Sequence, residues 1–197
     1  MKIEKTPLPG LLLITPRRFG DSRGFFAESW NRKRMEEAGA VLPTFVQDNY
    51  SLSYTINTLR GLHFQGPPHA QGKLVRCGRG AFFDVAVDIR RGSPTYGRWF
   101  GIELSFENPT QLWIPAGFLH GFVTRRYDTE ILYKCTDYYD PQCEGSVLWN
   151  SAGIDWGISA EPLLSEKDAQ AVPFSAFESP FVYEGEGKDE AALSALL

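Results

Sequence analysis

Short runs of apolar residues, many of them β-branched or aromatic, alternate with turn residues through most of the chain. Turn signals rich in Gly and Pro, such as Arg91-Gly92-Ser93-Pro94 and Pro115-Ala116-Gly117, separate these runs. Closely spaced short strands with Gly and Pro turns are typical of an all-β sandwich or barrel. The runs that we interpret as strands are Lys73 to Arg76, Ala81 to Ile89, Trp99 to Leu104, Gln111 to Ile114, His120 to Thr124 and Glu130 to Thr136.

Two segments depart from this pattern and predict short helices. Asn31 to Ala38 has a helix-favouring composition and is followed by Gly39, a common helix stop. Ser165 to Ala171 begins with a residue suited to cap a helix. We therefore expect a single all-β domain over residues 1–183 with a few peripheral helices. In the tail, 184–197, we expect a mobile stretch from Glu184 to Glu190 and a candidate short helix from Ala191 to Leu197.

Composition and charge narrow the classes of protein. The chain has 197 residues, of which 43% are hydrophobic, which suits one domain with a substantial core. A net charge of −4 argues against a nucleic-acid partner, which needs a basic face. Three cysteines without a C-x-x-C pair predict neither a disulfide framework nor a zinc site. Leu11 to Ile14 is too short to cross a membrane, so we expect a cytoplasmic protein without a membrane partner.

The segment from Asp84 to Asp88 alternates polar and apolar residues with a period of two. Asp84, Ala86 and Asp88 therefore share one face of a strand. In a small barrel that face can point to the interior, where one small ligand can bind. We expect the chemistry of this protein to lie there.

Arg60-Gly61-Leu62-His63, followed by Lys73, is the first candidate for chemistry. In a regular strand Arg60 and His63 would point in opposite directions, but a kink at Gly61 would allow both to reach one cavity. His63 is a natural base near neutral pH, and Lys73 is suited to stabilise an oxyanion. A structural role for His63 remains open at this point.

Pro115-Ala116-Gly117-Phe118-Leu119-His120-Gly121-Phe122 is the second candidate, because a His at a strand start among Gly and aromatic residues is typical of cupin barrels. His120 and His63 could share a metal with Asp84 or Glu103. The six-residue spacing of His63 and His69 disrupts the usual H-x-H pattern, so we predict no metal site. Tyr133 is either a core residue or an acid placed opposite a histidine.

The segment from Phe19 to Glu28 combines turn residues with three Phe, an Arg and a Glu. The segment is either a plain β-hairpin or a sheet edge that stacks on a nucleotide base and contacts phosphate. Further polar groups, able to hydrogen-bond a pyrimidine or a sugar, come from Gln47, Asp48 and Asn49.

Taken together, these segments resemble the dTDP-4-dehydrorhamnose 3,5-epimerase family. The resemblance covers roughly residues 3 to 175 and implies a cupin-type jelly-roll β-barrel. It is carried by Gly20-Asp21-Ser22-Arg23-Gly24-Phe25-Phe26 with Glu28, Gln47-Asp48-Asn49-Tyr50-Ser51, Arg60-Gly61-Leu62-His63-Phe64-Gln65, Gln71-Gly72-Lys73-Leu74-Val75, Phe83 to Arg90, Ser93-Pro94-Thr95-Tyr96-Gly97, Pro115 to Phe122, and Leu163 to Asp168.

The resemblance also implies a role for each matching residue. His63 matches the general base, Tyr133 the general acid on the opposite face and Lys73 the group beside the C4 oxygen. Asp168 matches the carboxylate that orients the histidine, with Asp84 as a second candidate for that role. The residues that match substrate contacts are Arg60, His120, Glu144 and Lys167, and those that match nucleotide and diphosphate contacts are Gln47, Asn49, Arg23 and Glu28, with Phe19 or Phe26 stacking on thymine.

In such an enzyme the C4 ketone of a dTDP-4-keto-6-deoxy-hexose acidifies the hydrogens at C3 and C5, so neither cofactor nor metal is needed. The resemblance further implies a homodimer in which Arg23 and Glu28 reach the partner's site. Three alternatives stay open. They are an epimerase that inverts only C3 or C5 in an unusual deoxysugar pathway, a metal-dependent cupin, and a sugar-nucleotide binder without catalysis.

Overall fold

The computed structural model describes residues 1–185, and strands dominate it. Two short α-helices, α1 (Arg32–Glu37) and α2 (Glu166–Ala169), and a 3₁₀ turn at Phe174–Ala176 accompany the strands. The strands are β1 (Lys2–Lys5), β2 (Leu12–Thr15), β3 (Arg18–Asp21), β4 (Gly24–Ala27), β5 (Gln47–Ser53), β6 (Leu59–Gln65), β7 (Lys73–Arg79), β8 (Ala81–Asp88), β9 (Trp99–Ser105), β10 (Gln111–Ile114), β11 (Phe118–Thr124), β12 (Thr129–Cys135) and β13 (Glu144–Ser146).

Two antiparallel sheets form the barrel. One has the strand order β1-β2-β10-β7-β12-β5 and the other has the order β13-β6-β11-β8-β9, while β3 and β4 form a separate hairpin. The non-consecutive neighbours are the crossovers of a jelly roll. The expected all-β, cupin-type jelly-roll fold is therefore confirmed, and every run interpreted as a strand contributes to one.

The hydrophobic core lies between the sheets and continues on both outer faces. Val75 and Ile131 of one sheet pack between the layers with Phe82 and Phe122 of the other. Trp156 belongs to a second cluster on the outer side of the five-stranded sheet, and Met35 belongs to a third on the six-stranded sheet. The loops and helices thus bury the outer faces of strands whose inner faces form the barrel.

Both helices predicted between residues 31 and 171 are present, and both begin at a capping side chain. The side chain of Asn31 accepts a hydrogen bond from Arg34 N, and Ser165 accepts one from Asp168 N. The second helix ends at Ala169, two residues earlier than predicted. The helix predicted from Ala191 to Leu197 lies outside the described residues, as does most of the stretch from Glu184 to Glu190.

The last described segment crosses the outer side of the five-stranded sheet. Phe174, Phe177 and Phe181 pack on the cluster around Trp156, and Val182 forms a bridge with Arg91. Within residues 1–185 no helix has the length and apolar character that a membrane span requires.

Candidate active site

A cavity of about 530 Å³ opens at one end of the barrel. Both sheets contribute to it, together with the loop that leads into α2. This volume suits a small-molecule ligand. Its lining consists of Ser51, Thr58, Leu59, Arg60, His63, Lys73, His120, Phe122, Tyr133, Leu163, Leu164, Ser165, Lys167 and Asp168.

An irregularity in β6 brings Arg60 and His63 to the same cavity. His63 pairs with His120 and Arg60 with Phe122 across β6 and β11, with a shift of register between them. Gly61 has φ +120°, and a Cβ there would lie 2.7 Å from Gly121 Cα. Only glycine fits this close approach of two backbones, so the predicted kink at Gly61 is confirmed.

His63 is held by Asp168. The His63 Nε2 and Asp168 Oδ1 atoms are 2.5 Å apart, and the carboxylate also accepts a 3.4 Å bond from Gly61 N. Burial opposes ionisation of Asp168, but hydrogen bonds from His63, Ser165 and Gly61 outweigh it and lower its pKa. An ionised carboxylate at this position orients the imidazole and leaves Nδ1 to accept a proton.

A second His–Asp pair lies deeper in the barrel. His120 Nε2 is 2.6 Å from Asp84 Oδ1, and Asp84 is completely buried. Burial raises the pKa of Asp84, although His120 and Lys73 act in the opposite direction. Asp84 was the second candidate to orient His63, and that assignment is wrong. The reason is the pairing of β8 with β11, which places Asp84 next to the strand that carries His120.

Lys73 and Tyr133 come from neighbouring strands of the six-stranded sheet. The Lys73 Nζ atom lies 6.0 Å from the centre of the Tyr133 ring. Burial lowers the pKa of Lys73 and raises the pKa of Tyr133. The two groups therefore present a poorly solvated amine and a protonated phenol to the same cavity as His63.

Glu144 and Lys167 meet at the edge of the cavity. Lys167 Nζ is 2.5 Å from Glu144 Oε2, which also accepts a 2.9 Å bond from Tyr139 Oη. Burial opposes ionisation of Glu144, but the hydrogen bonds from Lys167 and Tyr139 lower its pKa. Glu144 itself is not among the lining residues.

The residues between positions 19 and 28 that were predicted to contact the nucleotide lie away from the cavity of their own chain. Arg23 is exposed and pairs with Asp21, and Glu28 pairs with Arg34 at 2.7 Å. Phe19 and Phe26 are 50% and 66% exposed on the β3–β4 hairpin, and Arg23 is exposed at its turn, whereas Glu28 follows β4 and is only partly exposed.

Gln47 and Asn49 lie on β5 beside the cavity. Asn49 pairs with Tyr133 across the sheet, and Gln47 Nε2 donates to Asn49 Oδ1 at 3.0 Å. The Gln47 side chain also accepts a bond from Tyr139 N.

Sequence reasoning missed part of the lining. The strand alternation of Gln47, Asn49 and Ser51 would have indicated Ser51, because these residues share one face of β5. No comparable signal marks the residues of the covering loop, whose place depends on long-range packing. The lining residues not predicted are Ser51, Thr58, Leu59, Phe122, Leu163, Leu164 and Ser165.

Potential metal ligands are not grouped in the described part of the chain. Among residues 1–185 no three His, Cys, Asp or Glu side chains come together as the ligands of one ion would. The two histidines of the cavity are instead each bonded to a carboxylate.

A jelly-roll barrel with a His–Asp pair, a lysine and a tyrosine around one cavity defines a cupin-like protein equipped for acid–base chemistry. The model of the family described as dTDP-4-dehydrorhamnose 3,5-epimerase matches residues 5–176. The chain belongs to this family of isomerases.

Individual relatives agree with this assignment. The chain is 57% identical over 173 residues to the dTDP-4-dehydrorhamnose 3,5-epimerase of Salmonella typhimurium, covering 87% of this chain and 94% of the relative. It resembles the Legionella pneumophila enzyme solved with dTDP-4-keto-L-rhamnose, with 45% identity, a TM-score of 0.88 and coverage of 93% and 99%. A 3'-monoepimerase variant from Streptomyces bikiniensis, solved with dTDP, has 29% identity, a TM-score of 0.86 and coverage of 99% and 100%.

Proposed function

We propose that this protein epimerises C3 and C5 of dTDP-4-keto-6-deoxy-D-glucose to give dTDP-4-keto-L-rhamnose, in rhamnose biosynthesis. The observation that carries the proposal is the meeting of the His63–Asp168 pair, Lys73 and Tyr133 in one cavity. The sugar nucleotide bound to the Legionella relative supports the choice of substrate.

The reaction begins with removal of a proton beside the ketone. His63 takes the proton from C3 or C5, and the C–H electrons move to the C4 oxygen to form an enolate. Asp168 stabilises the imidazolium that results, because its lowered pKa keeps it ionised. The substrate's own ketone accepts the electrons, so the step needs no cofactor.

Lys73 stabilises the enolate and Tyr133 completes the inversion. The Lys73 amine donates a hydrogen bond to the C4 oxygen as negative charge develops there. Tyr133, whose raised pKa keeps it protonated, donates a proton to the opposite face of the carbon. The variant Streptomyces relative carries substitutions of a histidine and a tyrosine 70 positions apart, the same separation as His63 and Tyr133.

Binding of the nucleotide diphosphate involves two copies of the chain. Arg60, His120 and Lys167 line the cavity and offer donors to the diphosphate and sugar, with Glu144 at its edge. Arg23, Glu28, Phe19 and Phe26 do not line the cavity of their own chain. The exposure of Phe19, Arg23 and Phe26 on the hairpin supports a homodimer in which this segment contacts the nucleotide in the partner's site.

Deuterium uptake tests the function. The purified protein is incubated with dTDP-4-keto-6-deoxy-D-glucose in D₂O, and label at each carbon is followed by NMR. We expect label at both C3 and C5. Label at one carbon would make the protein a single-site epimerase, and absence of label at both would refute epimerisation.

A Tyr133→Phe variant tests the role of the acid. Because His63 stays in place, we expect proton exchange to continue while inversion falls about 100-fold. Inversion at the parent rate would remove Tyr133 from the mechanism. Tyr138→Phe, a change to an exposed tyrosine, serves as the matched control.

Complementation tests the shared site. His63→Ala and Arg23→Ala proteins are each expected to have low activity, and mixing them forms dimers with one intact site. Random reassortment of equal amounts should restore about a quarter of the parent activity. No recovery after demonstrated subunit exchange would place Arg23 outside the partner's site.

A further inference from the structure

The segment that connects β12 to β13, residues 136–143, has no strand of its own. Its backbone polar groups therefore lack a strand ladder to satisfy them and need other partners. Side-chain amides of the barrel supply several of these bonds. Gln71 Nε2 donates to Asp137 O at 2.8 Å, and Gln47 Oε1 accepts a 2.9 Å bond from Tyr139 N.

Gln65, the last residue of β6, holds the segment at two further points. Its Nε2 donates to Tyr138 O at 2.9 Å and also to the backbone oxygen of His69, and its Oε1 accepts a 3.0 Å bond from Asp140 N. The side chain is 4% exposed and is absent from the lining of the cavity. Because both ends of the amide are bonded to backbone, Gln65 can influence a ligand only through the segment that it holds.

The segment leads to the polar groups at the edge of the cavity. Tyr139 lies between the two positions of the segment that Gln65 holds, and its Oη donates a 2.9 Å bond to Glu144 Oε2. The same oxygen is 2.5 Å from Nζ of Lys167, which lines the cavity. Gln65 also pairs with Glu144 across β6 and β13. One residue of β6 therefore holds both partners of the Tyr139–Glu144 hydrogen bond.

We propose that Gln65 is a positioning residue for ligand binding, which holds Tyr139 so that Glu144 and Lys167 are set at the edge of the cavity. This inference rests on the proposed function, in which Glu144 and Lys167 contact the sugar nucleotide. It predicts weaker binding with little change in the chemical step, because the groups that move protons are held by other residues.

Gln65→Met tests the inference, because methionine has a similar length but its thioether is only a weak acceptor. Binding of dTDP is measured by isothermal titration calorimetry, and KM and kcat are measured for dTDP-4-keto-6-deoxy-D-glucose. We expect Kd for dTDP and KM each to rise about tenfold, while kcat stays within about twofold of the parent. Gln142→Met, the same change at an exposed side chain of the same segment, should leave all three values unchanged.

Removal of the Tyr139 side chain shows whether Gln65 acts through it. Tyr139→Ala alone should weaken dTDP binding. Gln65→Met added to Tyr139→Ala should then change Kd by less than about twofold, because the side chain that Gln65 positions is already absent. A tenfold effect of Gln65→Met that persists in the Tyr139→Ala protein would show that Gln65 acts by another route, contrary to the inference.

The melting temperatures of the variants identify a purely structural role. Gln65→Met should lower the melting temperature, because it leaves backbone groups without partners. A lower melting temperature with Kd and KM equal to those of the parent would mean that Gln65 only stabilises the fold, and it would overturn the inference. A fall in kcat with KM unchanged would overturn it as well.

A second variant and the parent itself complete the test. If Gln65→Met does not fold, Gln65→Asn replaces it, since asparagine keeps the amide but is one methylene shorter, and Kd for dTDP should again rise. A parent that binds dTDP and epimerises, with Gln65→Met equal to it in every value, refutes the inference alone. A parent that binds no dTDP refutes the proposed function and the inference with it.

Discussion

Two His–Asp pairs lie in the same barrel and differ in almost every property that decides reactivity. The His63 side chain is 28% exposed and its carboxylate partner comes from α2, outside the barrel sheets. The His120 side chain is 9% exposed and its partner comes from the adjacent strand β8. Both histidines are on barrel strands and line the cavity, but Asp168 reaches His63 from outside the sheets, whereas Asp84 belongs to the sheet itself.

The surroundings of the two carboxylates explain the difference. Asp168 accepts hydrogen bonds from His63 and from Gly61 N, which lower its pKa in spite of burial. Asp84 bonds His120 through one oxygen, and its Oδ2 has no hydrogen-bond partner among residues 1–185. Burial then dominates and raises its pKa.

The same two residue types are thus suited to different work. A carboxylate with a low pKa stays ionised and stabilises the imidazolium of an accessible histidine, which can then take up a proton and release it. A buried pair with a high-pKa carboxylate holds the imidazole in place, where it can donate to a ligand. This contrast supports the proposal that His63 abstracts the proton and that His120 has a binding role, and the following predictions test that division.

The largest expected effect is the replacement of each histidine by alanine. His63→Ala should reduce deuterium uptake at C3 and C5 about 1000-fold, because it removes the base. Its melting temperature should fall as well, because the buried Asp168 loses the partner that lowers its pKa. His120→Ala should retain far more exchange but lower the melting temperature by about 5–10 °C, because it leaves the buried Asp84 without its partner.

Rates of exchange by NMR and thermal unfolding of the same preparations provide the measurements. His69→Ala is the control, since His69 is a partly exposed loop residue that does not line the cavity. Equal loss of exchange in His63→Ala and His120→Ala would break the proposed division of roles. Retained turnover in His63→Ala would remove the base assignment altogether.

The next largest effect on kcat is expected from replacing the two carboxylates by amides. Asp168→Asn keeps the shape of the side chain but removes the charge that supports imidazolium, so kcat should fall about 100-fold. Asp84→Asn should lower kcat by about threefold or less, because burial already favours the neutral form of Asp84. Steady-state kinetics on both variants give the comparison, and a larger loss in Asp84→Asn would reverse the roles of the two pairs.

The two pairs also show where sequence reasoning succeeds. The kink at Gly61 follows from a glycine between Arg60 and His63, and the inward face of Asp84 follows from alternation along β8. Both are local properties, and both predictions are confirmed. The all-β class followed from the spacing of strands and turns, which is local as well, whereas the jelly roll was implied by the family resemblance.

The partners of the two histidines are not local. Asp168 is 105 positions from His63, and only the family resemblance pointed to it. Alternation showed that Asp84 faces inward but not which histidine it meets, because that depends on the register between β8 and β11. The covering residues Leu163 and Leu164 were missed for the same reason, since their place is set by packing across the whole barrel.

The smallest expected effect is on the pH dependence of stability. The ordinary pKa of an aspartate is 3.8, and that of Asp168 is lower in the folded protein. Its stabilising contribution is therefore present above pH 3.8 and is lost as the pH falls through the folded value. Asp84 has the opposite effect on stability. Its pKa in the folded protein lies above 3.8, so stability falls as the pH rises from 3.8 to that folded pKa.

Urea unfolding of the parent, Asp168→Asn and Asp84→Asn across about pH 3 to 7 separates the two contributions. The stability advantage of the parent over Asp168→Asn should shrink on acidification below pH 3.8, where the carboxylate becomes protonated. Relative to Asp84→Asn, the parent should instead lose stability as the pH rises above 3.8. Parallel profiles for both variants would mean that the carboxylates ionise alike, and the physical basis for assigning the two pairs different roles would be gone.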